Sequence, residues 1–218
     1  MEEPKRTIDP EELPRRGTVN LLNAIIAPRP IAWVATLAAD GTTNLAPHSY
    51  TTIFSDEPPV VGFVSIGRKD TLRNVEQLPE FVYHVAGEDL AEQMNLTSAD
   101  FPPDVSEAEW AGLTTVPSDV VRVPRIAEAP VAMEAKVVDI HRILDTNNWL
   151  ILGQVVRLHI AERLFEDGRI DLTRLRPIGR MAGPWYSRLG ELLSMERPTY
   201  KGLLESGARP LGEKPRVP

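Results

Sequence analysis

The residues best equipped to do chemistry lie in one short stretch of the chain, residues 65–74. An apolar run before it predicts a buried strand, Gly67 allows the backbone to turn, and a short helix is expected to follow with Asp70 or Thr71 as its N-cap. The stretch carries two cations and two hydroxyls: Ser65, Arg68, Lys69 and Thr71. Such side chains beside free helix N–H groups are what a phosphate needs. The alternative is a solvated basic turn before a surface helix, and this stretch alone does not separate the two.

Composition limits the function classes that remain. The chain has 218 residues, a formal net charge of −7 and no cysteine. The negative charge counts against a nucleic-acid or anionic-membrane surface, and the missing cysteines exclude disulfides, thiolate nucleophiles and cysteine-ligated metals. No apolar run has the length of a membrane span, and the N-terminus does not resemble a signal peptide, so a cytoplasmic location is expected.

Other common chemistries find little support in the sequence. The chain has four histidines: His48, His84, His141 and His159. They show no HExxH or other close ligand spacing, so no metal site is expected. There is no GxSxG nucleophile elbow, no Walker loop and no GxGxxG fingerprint. What remains is the basic turn, a hydroxyl-rich stretch at residues 44–52, and a glycine–aromatic stretch at residues 179–186.

The pattern of apolar residues and turns predicts a mainly β domain. Six strands are expected, at residues 31–37, 43–52, 60–64, 80–86, 131–140 and 149–160. Asp40-Gly41 predicts a hairpin, and Pro47, which cannot donate to a ladder, predicts an edge, bulge or break. Six strands at hairpin spacing with few helices favour a small closed barrel with helical additions.

Three parts of the chain are expected to differ in their degree of structural order. Residues 1–18 form a polar, proline-punctuated lead, residues 19–200 form the folded domain, and residues 201–218 form a tail. Within the domain, residues 96–124 predict a long excursion with its own apolar residues, including Trp110, to bury.

An ordered set of motifs resembles the flavin reductase-like family, the FMN-binding split barrels that include flavoredoxin. The motifs are PRPIAWV at 28–34, NLAPHS at 44–49, DEPP at 56–59 and GRKDTLRN at 67–74. Later motifs follow in the same order, and the resemblance covers roughly residues 20–200. It implies a mainly β, six-stranded antiparallel Greek-key split β-barrel with short helices. It also implies a homodimer with FMN near the subunit interface, to which the 96–124 excursion is expected to contribute.

The resemblance also implies which residues hold the flavin. Ser65, Lys69 and Thr71 are expected to meet its ribityl chain and phosphate. The full cofactor-binding set is Ala46, Pro47, His48, Ser49, Tyr50, Thr51, Ser65, Arg68, Lys69 and Thr71. Trp185 and Tyr186 are expected either on the nicotinamide side or as core aromatics. His84 departs from the family pattern and is interpreted as a solvent-facing strand residue rather than a substrate contact.

The implied activity is NAD(P)H-dependent flavin reduction, in which nicotinamide passes hydride to FMN, with FAD as an alternative flavin. No catalytic side chain is expected, because the flavin carries the hydride chemistry. The sequence does not choose between NADH and NADPH, nor does it identify a partner monooxygenase or electron acceptor. Two alternatives stay open: an FMN electron carrier without nicotinamide activity, and a non-catalytic barrel that binds another phosphate-bearing ligand.

Overall fold

A seven-stranded antiparallel sheet dominates the computed structural model, which describes residues 3–206. The strands are β1 (Ala32–Leu37), β2 (Thr43–His48), β3 (Thr51–Asp56), β4 (Pro59–Ile66), β5 (Glu80–Val85), β8 (Val131–Arg142) and β9 (Asn148–Ile160). Their order across the sheet is β2-β1-β5-β8-β9-β4-β3. The fold is therefore mainly β, as the alternating sequence pattern predicts.

The predicted number of six strands is wrong, because the stretch at residues 43–52 divides in two. β2 pairs with β1 until His48 lies opposite Ala32. The chain then bends at Ser49 and Tyr50 and continues as β3, which pairs with β4 instead. The two halves lie at opposite edges of the sheet, and Pro47 lies on the edge strand β2, where a missing N–H is tolerated.

The sheet buries side chains on both of its faces. One core cluster gathers even-numbered β1 residues with Phe63, Phe81 and Ile151 from β4, β5 and β9. The other gathers odd-numbered β1 residues, including Trp33, with Val123 and its neighbours from the 96–124 excursion. β1 is consequently buried on both faces, which explains the apolar run from Ala32 to Ala35.

Helices and short strands fill the connections. The helices are α1 (Arg15–Ile25), α2 (Asp70–Gln77), α3 (Ala91–Leu96), α4 (Glu107–Trp110), α5 (Leu172–Leu175) and α6 (Tyr200–Glu205), with short 3₁₀ turns at Pro10–Glu12, Glu88–Leu90 and Glu162–Leu164. The short strands are β6 (Thr115–Val116), β7 (Arg125–Ile126), β10 (Phe165–Glu166), β11 (Arg169–Ile170), β12 (Gly179–Arg180) and β13 (Tyr186–Ser187). Among residues 3–206, no helix is long and apolar enough to span a bilayer.

Chain ends and one helix start deviate from the sequence-based boundaries. α1 begins at Arg15, inside the predicted lead 1–18, and most of the predicted tail 201–218 lies outside the described residues. The predicted N-cap of α2 is wrong: Lys69 occupies that position with extended backbone, and Asp70 is the first helical residue.

Two predictions about burial are also wrong. Trp110, expected to be buried, is 68% exposed, and its ring instead lies 5.9 Å from that of Phe101. His84, expected to face solvent, is fully buried. Its Nδ1 donates to the Trp33 carbonyl at 3.0 Å, and its Nε2 accepts from the Ile126 amide at 3.0 Å. His84 therefore ties β1 and β5 to β7, because a neutral imidazole offers one donor and one acceptor.

Candidate functional site

A cavity of about 580 Å³ opens where β2 ends, against the turn that joins β4 to α2. Its volume lies within the usual range for small-molecule sites. Nine predicted cofactor-binding residues line it: Ala46, Pro47, His48, Ser49, Tyr50, Ser65, Arg68, Lys69 and Thr71. The hydroxyl-rich stretch and the basic turn are separate in the sequence, but they line the same cavity.

The tenth predicted residue, Thr51, lies outside the cavity lining. Its hydroxyl donates to the Gly62 carbonyl at 2.7 Å, across the β3–β4 pair. Trp185 and Tyr186 are also absent from the lining, although Met181 and Gly183 of the same stretch belong to it. Trp185 is 71% exposed, so it is not a core aromatic. The hydroxyl of Tyr186 donates to Asn95 at 2.9 Å.

The start of α2 supplies backbone donors to the cavity. No side chain of the described residues caps this helix, so its first amides keep their N–H groups free. Thr71, in the first turn, is buried, and its hydroxyl oxygen accepts from Asn44 at 3.2 Å. Ser65 is buried as well and donates to the Gly67 carbonyl at 3.0 Å. The turn therefore combines free amides with hydroxyls held in fixed positions.

The three cations of this turn and helix are each paired with a carboxylate in this structure. The pairs are Arg68 with Glu76 at 2.6 Å, Lys69 with Asp100 at 2.7 Å, and Arg73 with Asp70. All three cations are more than 40% exposed, and exposed ion pairs contribute little to stability. A multiply charged anion at the helix N-terminus can therefore displace these partners.

His48 carries an acceptor without a partner. Its Nδ1 lies 3.3 Å from the Val64 carbonyl, and because a carbonyl only accepts, Nδ1 is the protonated nitrogen. Burial lowers the pKa of His48 to about 4, against the opposing effect of the Val64 carbonyl, and Lys69 lowers it further. The ring is neutral at pH 7, and within residues 3–206 its buried Nε2 meets no donor.

Sequence reasoning missed several lining residues, among them Arg29, Glu107 and Arg180. Arg29 belongs to the PRP motif, which indicates only that a strand follows. Its guanidinium donates to the Asn23 and Ile26 carbonyls at the end of α1, at 2.7 and 2.9 Å. It also donates to the Met181 carbonyl at 3.1 Å. No local signal in the sequence could have placed it beside the 179–186 stretch.

Glu107 enters the cavity from α4. Its carboxylate accepts from the Leu45 amide at 2.9 Å. Burial raises the pKa of Glu107, the Leu45 amide opposes that rise, and the nearby Asp70 adds to it.

A second cluster of titratable groups lies away from the cavity, at Asp119, Glu134 and His159. Their ligand atoms lie within 4.8 Å of one another. The fully buried Glu134 carboxylate, however, already accepts from three backbone amides and from His159. These contacts attach the loop that precedes β7 to the strand β8. We therefore interpret the cluster as a structural anchor.

With this fold and cavity defined, the class of protein follows from comparison with known families. The model of the flavin reductase like domain matches residues 26–175, so the chain belongs to the flavin reductase-like family. The suspected resemblance is confirmed, and the seven-stranded sheet is that of a split barrel.

Individual relatives agree with this assignment. A protein of Halalkalibacterium halodurans is 41% identical over 202 residues, covering 88% of this chain and 96% of the relative. Nitrilotriacetate monooxygenase component B from Bacillus cereus is similar in structure, with a TM-score of 0.85, 37% identity, and coverage of 89% of this chain and 100% of that chain. Pseudomonas fluorescens 2-nitrobenzoate 2-nitroreductase gives a TM-score of 0.83, 31% identity, and coverage of 89% and 98%.

Proposed function

We propose that the protein is an FMN-binding oxidoreductase that passes hydride from NADH or NADPH to flavin. The observation that carries the proposal is the cavity at the end of β2. It brings a cationic turn and an uncapped helix N-terminus together with the backbone and side chains of residues 46–50. A ligand with a phosphate attached to a flat polar ring can use both walls.

The residues present fit FMN. Lys69, Arg68 and the first amides of α2 would hold the phosphate, because charge-assisted donors and a helix N-terminus favour a dianion. His48 would help to hold the isoalloxazine with its neutral imidazole, whose Nε2 is an acceptor that meets no donor among the described residues. The buried ring of His48 also packs on Phe63 at 4.7 Å, which fixes its orientation.

When bound, the flavin supplies the hydride acceptor, so the protein needs no acid or base of its own. Residues 46–50 would lie along one face of the ring and leave the other face open to nicotinamide. His48 stays neutral during turnover because its pKa is about 4. The site thus holds the ring without adding a charge beside it. FAD is an alternative flavin, and a cytoplasmic location, where nicotinamide nucleotides occur, is part of the proposal.

The relatives support two possible electron acceptors. Similarity to component B of a monooxygenase supports delivery of reduced flavin to a partner monooxygenase. Similarity to a nitroreductase supports reduction of an organic acceptor at the flavin itself. Both uses begin with the same reduction of the flavin by nicotinamide.

We further propose that residues 19–200 function as a homodimer. α1 has no buried residue, and its apolar side chains are exposed together with those of the edge strand β3. The exposed apolar residues are Val19, Leu21, Leu22, Ile25, Ile26, Ile53 and Phe54. In the excursion at 96–124, Leu113, Val121 and Val123 are buried within the chain, and fewer apolar residues are exposed: Leu96, Trp110 and Val120. We therefore expect α1 and β3 to contribute more to the interface than the excursion does.

Anaerobic stopped-flow spectroscopy tests the activity. We expect the protein to bind FMN. We expect NADH or NADPH to bleach the absorbance of the bound flavin, and we expect free FMN or FAD to sustain turnover. Reduction by dithionite but by neither nicotinamide would leave the electron-carrier alternative. Failure to bind any flavin would favour a barrel for another phosphate-bearing ligand. Light scattering tests the dimer, and a stable monomer that binds FMN would contradict it.

A further inference from the structure

Two arginines face each other on one wall of the cavity. Arg29 and Arg180 form an isolated antiparallel bridge, in which each backbone amide donates to the other's carbonyl, at 3.0 and 2.8 Å. Residues directly opposite in an antiparallel pair project to the same face, and like charges in that arrangement are destabilising. Both residues line the cavity, so the unfavourable pair faces the ligand space.

Among the residues that the structure describes, no carboxylate forms an ion pair with either arginine. Within residues 3–206, neither guanidinium lies within 4 Å of an acidic group, whereas Arg68, Lys69 and Arg73 in the same cavity each have one. Arg29 is only 7% exposed, and its hydrogen-bond partners are neutral: three carbonyls and the Ser49 hydroxyl. Buried charges are normally paired, so a bound anion would supply what the chain leaves out.

Arg180 keeps one edge of its guanidinium open. Nη1 donates to the Trp185 carbonyl at 3.1 Å, while Nε and Nη2 make no hydrogen bond to the described residues. The guanidinium lies over the Tyr186 ring at 4.6 Å, and the Tyr186 hydroxyl is itself held by Asn95. A planar group fixed by stacking with Nε and Nη2 free presents two parallel donors, the geometry that binds carboxylate or phosphate in a bidentate manner.

We propose that Arg180, supported by Arg29, is the anion subsite for the second ligand of the cavity. This inference rests on the proposed function, in which FMN phosphate occupies the turn before α2. The recognised group is an oxyanion, supplied either by the pyrophosphate of a nicotinamide nucleotide or by the carboxylate of an organic acceptor. Tyr186 acts through Arg180 as its platform, rather than by contacting the nicotinamide.

The test uses the full-length protein and the variants Arg180→Met and Arg180→Lys. Arg188→Met is the matched control, because Arg188 lies on the same segment, is paired with Glu88 and is outside the cavity lining. Calorimetry in the presence of excess FMN, which occupies the turn before α2, measures the affinity for inorganic pyrophosphate and, separately, for benzoate. Fluorescence titration of the same proteins measures the affinity for FMN.

We expect Arg180→Met to lower the affinity for one of the two anions at least tenfold and Arg180→Lys to restore part of that loss. The affinity for FMN should change less than twofold. Loss of pyrophosphate binding identifies the nucleotide as the source, and loss of benzoate binding identifies the organic acid. Unchanged anion affinities, or equal losses for FMN, would overturn the inference. A wild type that binds either anion through Arg180 but not FMN would instead refute the proposed function and leave the anion subsite standing.

Discussion

Glu134 offers the sharpest test of how this fold is held together. Its carboxylate is fully buried on β8 and accepts from the amides of Asp119, Val120 and Val121 at 2.8, 2.6 and 3.0 Å. His159 Nε2 donates to it at 2.6 Å. Four donors converge on two oxygens, so the carboxylate joins three consecutive backbone amides of the loop that precedes β7 to the sheet.

Glu134→Gln keeps the shape of the side chain but no longer provides acceptors for all four donors. The amide offers one acceptor oxygen, so its NH₂ group must face two of the four donors. Charge-assisted hydrogen bonds contribute about 1.5–3 kcal/mol each, and breaking a buried ionic contact costs about 3–5 kcal/mol. We therefore expect the free energy of unfolding, measured by urea denaturation at pH 7, to fall by about 3–5 kcal/mol.

A matched control lies on the neighbouring strand. Among the described residues, Glu80 accepts from one amide, that of Arg122 in the same loop at 2.8 Å, and it also forms an ion pair at 3.6 Å with the exposed Arg122 guanidinium. Glu80→Gln keeps an acceptor for the amide and loses only an ion pair with an exposed guanidinium, so it is expected to lower the free energy of unfolding by no more than about 1.5 kcal/mol. Equal losses for the two variants would refute the anchor interpretation, because they would show that the number of donors does not matter.

The same contact predicts a dependence on pH. Burial acts to raise the pKa of Glu134, but hydrogen bonds from Asp119, His159, Val121 and Val120 outweigh it and lower the pKa to about 2. A lowered pKa in the folded state stabilises the protein above the ordinary value of 4.5, and this contribution is lost as the pH falls from 4.5 towards 2. The difference between wild type and Glu134→Gln should therefore shrink over that range.

Three further predictions concern the cavity and the sheet. Lys69→Ala should weaken FMN about ten- to a hundredfold in a fluorescence titration and leave riboflavin, which lacks phosphate, nearly unchanged; equal losses would mean that Lys69 supports the fold. Gly153→Ala should cost about 1–3 kcal/mol in urea denaturation, because the added Cβ would lie 2.3 Å from Phe81, whereas Gly190→Ala meets no atom within 4 Å and should be neutral. Burial lowers the pKa of His84 to about 4, so its NMR titration should be centred there, and the stability it contributes should be lost as the pH falls from 6.5 towards 4; a midpoint near 6.5 would contradict its burial.

The sequence by itself determined the class of fold and nine of the residues that line the cavity at the end of β2. Alternating and β-branched runs fixed where strands occur, since period-2 patterning and burial are local properties. The turn at residues 65–74 was recognisable because its glycine, cations and hydroxyls are adjacent in the chain, and the structure places them on one cavity wall. The seventh strand was missed because the bend at Ser49 and Tyr50 changes the pairing partner, which no local pattern records.

Tertiary structure alone decided the orientation of single side chains and the contacts between distant segments. Thr51 leaves the cavity because, after the bend, β3 pairs with β4 in a register that gives its hydroxyl to Gly62. His84 is buried because two partners from other strands satisfy both of its nitrogens. Arg29 and Arg180 meet only through the folded path of the chain, which brings both ends of the domain to one cavity wall. Burial and pairing of polar groups depend on such long-range contacts, and a linear sequence does not state them.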